Sequence, residues 1–132
     1  MKRLTLWVFL LLFVTGCAFQ ATPKRDRNFL IQSPEDKEEY ELIIIDPGFD
    51  TWFHTNAKPI SYYSKNYYET KNRLYVNAWN GLHHQYKGRG PFENYIQYDQ
   101  SIDYGIELNY QLFWYFKYVE ATVGKRYNFQ PL

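Results

Sequence analysis

The chain reads as an α+β domain: a small two- or three-stranded sheet packed with two long helices and one short helix. Three observations predict it. The aliphatic run Leu42-Ile43-Ile44-Ile45, rich in β-branched residues, suits a pleated and largely buried strand. Two long stretches, Ser61 to His84 and Ile106 to Val123, repeat apolar residues at helical spacings. Between them, Phe92 to Tyr98 alternates in the manner of a second strand. That order of elements favours a sheet covered by helices, and because two strands alone are marginal, the helices supply most of the core.

The N-terminus comes first in chain order and has a separate purpose. Lys2 and Arg3 precede an apolar stretch, Leu4 to Val14, interrupted only by Thr5. This is the layout of a signal peptide. A spanning helix needs roughly 20 apolar residues to cross about 30 Å of hydrocarbon, and this stretch has about half that. Its end, Val14-Thr15-Gly16-Cys17, resembles the lipobox of bacterial lipoproteins. Small residues admit the backbone to a peptidase groove, and a thiolate is nucleophilic enough to take a diacylglyceryl group as a thioether. Residues 1–16 are thus read as a lipoprotein signal peptide and Cys17 as the lipidation site. Cys17 is the only cysteine, so once acylated it leaves no thiol for a disulfide. Two or three acyl chains give slow release where one gives only marginal binding. The lipobox resemblance implies an outer-membrane cargo, because Ala18 and not an acidic residue follows the cysteine. The basic Lys24, Arg25 and Arg27 imply a periplasm-facing position.

Residues 17–37 are polar, punctuated by proline and without period, and read as the lipidated N-terminus and a flexible tether of about 25 Å typical reach. Residues 38–132 form a single aromatic-rich domain. Its first strand ends at Asp46-Pro47-Gly48, where Asp46 can cap a short helix with Pro47 at its first position, carrying Phe49, Trp52 and Phe53 inward. The long helix that follows places Tyr63, Tyr67, Leu74, Ala78 and Leu82 on one face, widened by Tyr68, Tyr75 and Trp79, with Lys65, Glu69, Lys71 and Arg73 mostly opposite. Gly81, Gly88, Gly90 and Pro91 weaken and end it. After the second strand and a turn at Asp99 to Gly105, the last helix carries Leu108, Leu112, Tyr115, Phe116, Val119 and Val123 on one stripe. Tyr110, Trp114 and Tyr118 lie on the other side. A helix apolar all round implies burial on two sides, a partner, or a membrane interface. Gly124 is read as its stop, with Lys125 and Arg126 suiting the negative end of its dipole.

Removing Lys2 and Arg3 with the leader lowers the 15 basic side chains to 13, against 14 acidic ones. No concentrated basic face results, so nucleic acid is not an expected partner. The chain holds 14 tyrosines, whose rings pack while their hydroxyls stay wet; large rings serve either an economical core or an aromatic binding surface. Trp79, Tyr110, Trp114 and Tyr118 are the candidate binding surface. The three histidines, His54, His83 and His84, include no pair at the spacing that aims two imidazoles at one metal, and Asp50 with His54 supplies too few ligands. No metal or cofactor is expected. No serine has a glycine-flanked elbow, and the carboxylate pairs Asp46 with Asp50 and Asp103 with Glu107 suit caps and first turns. Lys87-Gly88-Arg89-Gly90-Pro91 lacks phosphate-loop spacing and reads as a connection.

Tyr40-Glu41-Leu42-Ile43-Ile44, the Trp79-Asn80 pair and Asp103-Tyr104-Gly105-Ile106-Glu107-Leu108-Asn109 together resemble a family of short, uncharacterised Gram-negative envelope lipoproteins. The resemblance covers most of the domain; it implies lipid anchoring and brings no activity. The expected function is a lipid-anchored, non-catalytic envelope protein that binds a partner or supports an assembly. The alternative is a glycan- or peptidoglycan-binding module using exposed aromatics, and the third class is a small periplasmic hydrolase.

Overall fold

In a computed structural model, which describes residues 28–32 and 40–131, the chain is mostly helical. Strand β1, Asn28–Gln32, pairs antiparallel with β2, Glu41–Ile45, from Asn28 opposite Ile45 to Gln32 opposite Glu41. β1 lies inside the stretch read as tether. Helix α1 spans Pro47–Asn56, α2 Lys65–Gln85 and α3 Gly105–Val119, and α3 runs on through a π-helical segment, Glu120–Gly124, into a last α-turn, Lys125–Tyr127 (α4). Single 3-10 turns stand at Ile60–Tyr62 and Gly90–Phe92.

The expected α+β class is therefore corrected to a helical one. Residues 92–98 form no strand and pair with no sheet; the β1–β2 ribbon adds Leu42 to the core, which is otherwise built mainly by helix on helix. The reason lies in the hydrogen bonds of that segment. α2 and α3 meet in the same order along their lengths: Lys65 bonded to Asp103 just ahead of α3, Asn72 bonded to Asn109, Tyr75 stacked on Phe116. Parallel neighbours need a connection that returns along the first helix, and α2 is about 32 Å long at 1.5 Å per residue. The segment after Pro91 makes that return in extended form. Its carbonyls and amides are met by α2 side chains, Phe92 by His83, Asn94 by Trp79 and Ile96 by Asn80, in place of a neighbouring strand.

α1 starts where Asp46 accepts the Gly48 amide at 3.0 Å, with Pro47 in the first turn, where its missing N–H costs nothing. It runs antiparallel to α3, with Phe49 against Tyr115 and Tyr118, Trp52 against Trp114, and Phe53 against Tyr110. α2 covers the other flank. Burial on two sides thus explains an α3 that is apolar all round. Beneath, Tyr75, Trp79, Phe92, Phe116 and Phe129 form a buried ring cluster with centroids about 5 to 6 Å apart, mostly tilted or edge-on. Tyr75 donates to Glu120, which also pairs with Lys117.

The end of the last helix also differs from expectation. Gly124 is not the stop: the chain turns at Asn128, in the left-handed region at φ 54°, and folds Phe129 back into the core. The Phe129 amide donates to the Gly124 carbonyl at 2.9 Å, and a Cβ on Gly124 would lie 2.9 Å from the Phe129 oxygen. Glycine serves close approach here, not termination.

Candidate functional site

A cleft of about 660 Å³ lies between α2 and the returning segment and is also lined by Tyr40. That is within the roughly 300–1,000 Å³ usual for ligand sites. Its lining joins rings, Tyr40, Tyr95, Tyr98 and Tyr104, to amides, Asn77, Asn80 and Gln97.

The cleft is held by side chains with structural duties. Asn80 acts as a strand edge would: its Nδ2 donates to the Ile96 carbonyl at 3.0 Å and its Oδ1 accepts the Ile96 amide at 2.9 Å. Trp79 Nε1 donates to the Asn94 carbonyl at 2.7 Å. Together they clamp both sides of Tyr95, a residue 53% exposed whose ring lies beside His83 and His84. At the other end Tyr98 stacks on Tyr104 at 5.0 Å, and Tyr104 meets Tyr40 edge-on at 4.8 Å. Tyr98 donates to Asn109 Oδ1 at 2.7 Å, and the buried Asn109 also receives Asn72 Nδ2. The Tyr104 hydroxyl accepts the Asp99 amide at 2.8 Å, while Asp99 accepts the amide and hydroxyl of Ser101. Burial pushes the Tyr98 hydroxyl well above its ordinary range, with the nearby Glu69 adding to the shift, and pushes Tyr104 up likewise. Both stay neutral at physiological pH. Hydrogen bonds from Ser101 hold Asp99 below the usual carboxylate range, so it stays charged.

A second, smaller cavity of about 220 Å³ adjoins the cleft through Tyr98 and Ile102 and is lined by Lys65, Glu69, Arg73 and Asp103. Lys65 Nζ donates to Asp103 Oδ2 at 2.6 Å and lies 3.9 Å from Glu69. The bond from Lys65 holds Asp103 below the usual carboxylate range, helped by the Gly105 amide. Gly105 takes φ 79°, which lets the chain enter α3 directly after Asp103.

The sequence-predicted surface is corrected. Trp79 is 0%, Tyr118 4% and Trp114 8% exposed, so these three rings are core, not an exposed patch, while Tyr110 is half-buried with its hydroxyl on the Lys58 carbonyl. Trp52 and Trp114 edge a separate concavity of about 450 Å³ with Lys117, Glu120 and Lys125. Cys17 lies outside the described residues. Asp46 accepts from Gly48 and Tyr118, Asp103 binds Lys65 and Gly105, and His83 binds the Phe92 carbonyl. Among the described residues, no three His, Cys, Asp or Glu side chains gather as a metal site, and no helix is long and apolar enough to cross a membrane. The cleft residues were missed because Tyr95, Gln97 and Asn77 carry no motif. The usable signal was the Trp79-Asn80 pair, whose polar groups face a segment lacking a partner strand.

No curated protein and no solved structure matches the chain. A family model described as a family of unknown function, DUF6146, matches residues 4–130. The match spans nearly the whole chain, and the protein belongs to that family.

Proposed function

We propose that this protein is a lipid-anchored component of a bacterial cell envelope that binds a glycan without transforming it, through the cleft between α2 and the segment returning to α3. The observation that carries the reading is the lining of that cleft: the ring of an exposed residue, Tyr95, beside the amides of Asn77 and Gln97, on a backbone clamped by Trp79 and Asn80. A pyranose ring offers an apolar C–H face that stacks on an aromatic ring, and hydroxyls that need a donor and an acceptor together. An amide side chain has both. A clamped platform loses little freedom when the ligand arrives. The structural duties of Asp46 and Asp103 favour binding over hydrolysis.

The leader from Lys2 to Val14 and the Val14-Thr15-Gly16-Cys17 sequence support the anchor, and Ala18 with the basic residues after it supports an outer membrane facing the periplasm. An anchored module meets an envelope polymer at high effective concentration, so a weak contact suffices. Cells fed an alkynyl fatty acid test the anchor. The wild-type chain is expected to carry the label and sediment with membranes, and Cys17→Ala to lose both; a labelled, membrane-bound Cys17→Ala protein contradicts it. Pull-down on purified cell-wall glycan tests the ligand: Tyr95→Ala is expected to lose retention, and equal retention of both forms counts against the cleft.

A further inference from the structure

Resting on the glycan reading, we infer that the ligand is an acidic saccharide, its carboxylate received by Arg73 where the aromatic cleft adjoins the charged cavity. Asn66, Glu69, Arg73, Asn77 and Asn80 succeed one another at intervals of three and four along α2, so they form one polar stripe under both cavities. The cavities adjoin at Tyr98 and Ile102, which line both: an aromatic half, whose one charged group is Asp99, held by Ser101, and a charged half.

The charged half contains two cations and two carboxylates, and three of these are already matched. Lys65 is bonded to Asp103 at 2.6 Å and lies 3.9 Å from Glu69, so it stands between both acids. Arg73 donates only to the Thr70 hydroxyl, at 3.2 Å, and among the described residues it enters no ion pair. A guanidinium is a rigid fork that fits a carboxylate with two parallel hydrogen bonds, and it keeps its charge at any physiological pH. It stands beside Tyr98, at the junction of the two halves. A sugar stacked at Tyr95 and bonded to Asn77 would therefore carry its acidic substituent toward Lys65 and away from His83. Glu69 selects in the other direction: it repels a second negative group, so one carboxylate is accommodated and a polyanion is not.

The test uses the full acylated chain in a non-glycosidic detergent and two disaccharides that differ by one group, chitobiose and its counterpart with a lactyl ether, N-acetylglucosaminyl-N-acetylmuramic acid. Calorimetry is expected to show the acid binding about tenfold or more tightly, the scale of a charge-assisted pair. Added salt should narrow the gap. Arg73→Gln is expected to bring both sugars to the affinity of the neutral one, which also serves as the control for an intact fold, and Arg73→Lys to restore part of the preference. Equal affinities in the wild-type chain overturn this inference and leave the glycan reading standing. A preference that survives Arg73→Gln removes the role of Arg73. Binding of neither sugar overturns both readings.

Discussion

At the residue scale the molecule depends on a few polar side chains that replace secondary structure. Asn80 supplies both halves of a hydrogen-bond pair to Ile96, and the segment would otherwise leave those groups unmet beside a buried Ile96 side chain. Asn80→Leu should therefore cost about 1–3 kcal/mol by chemical denaturation and expose the segment to protease before global unfolding. A variant as stable and as resistant as wild type would mean the clamp is not needed. Gly124 makes a second, independent claim. A methyl group there meets the Phe129 carbonyl at 2.9 Å, backbone that cannot swing aside. Gly124→Ala should destabilise by about 1–3 kcal/mol despite adding helix propensity, measured as a lowered denaturation midpoint.

At the element scale, α1 is set by its first turn. Asp46 is buried, caps α1 through Gly48 and receives the Tyr118 hydroxyl at 3.2 Å, so one side chain joins helix start to helix packing. Asp46→Ala should cost about 2 kcal/mol, and Asp46→Asn, which keeps the cap, clearly less, compared by thermal melts. Much of this level was legible in the chain. Asp46-Pro47 announced α1, and the apolar periods announced α2 and α3, because these are local signals. The order of contacts was not local. Alternation in Phe92 to Tyr98 marks extended backbone, and it cannot say whether the partner is a strand or the side chains of a helix; here parallel packing of α2 and α3 made it the latter. The apolar girth of α3 was visible, and its meaning, two flanking helices, was not. The same error carried over to the site: Trp79, Trp114 and Tyr118 were nominated as a surface because ring count alone does not separate a core ring from a platform.

At the scale of the whole molecule, the aromatic core imposes a pH dependence. Burial raises the pKa of Tyr75 and Tyr98 far above the ordinary 10.0, and raises Tyr68, Tyr104 and Tyr110 as well. A folded-state pKa above the unfolded one means the native state holds the proton more tightly, so this stabilisation is complete below about pH 10 and is lost as pH climbs from there through the folded values. Alkaline titration should show the buried tyrosines, Tyr75 and Tyr98 among them, ionising together with loss of helical circular dichroism. Smooth ionisation of all the tyrosines with the fold intact would contradict such a core. No tryptophan lines the cleft, whereas Trp52 and Trp114 edge the separate concavity. Tryptophan emission thus reports on which of the two a ligand occupies, and little change is expected on glycan binding.

The most direct test of the account is amide chemical-shift mapping of the full chain titrated with N-acetylglucosaminyl-N-acetylmuramic acid. The expected result is a set of saturable shifts at Tyr95, Gln97 and the side-chain amide of Asn77, continuing to Arg73. Shifts centred on Trp52, Trp114 and Lys125, or no saturable shift at all, would contradict it.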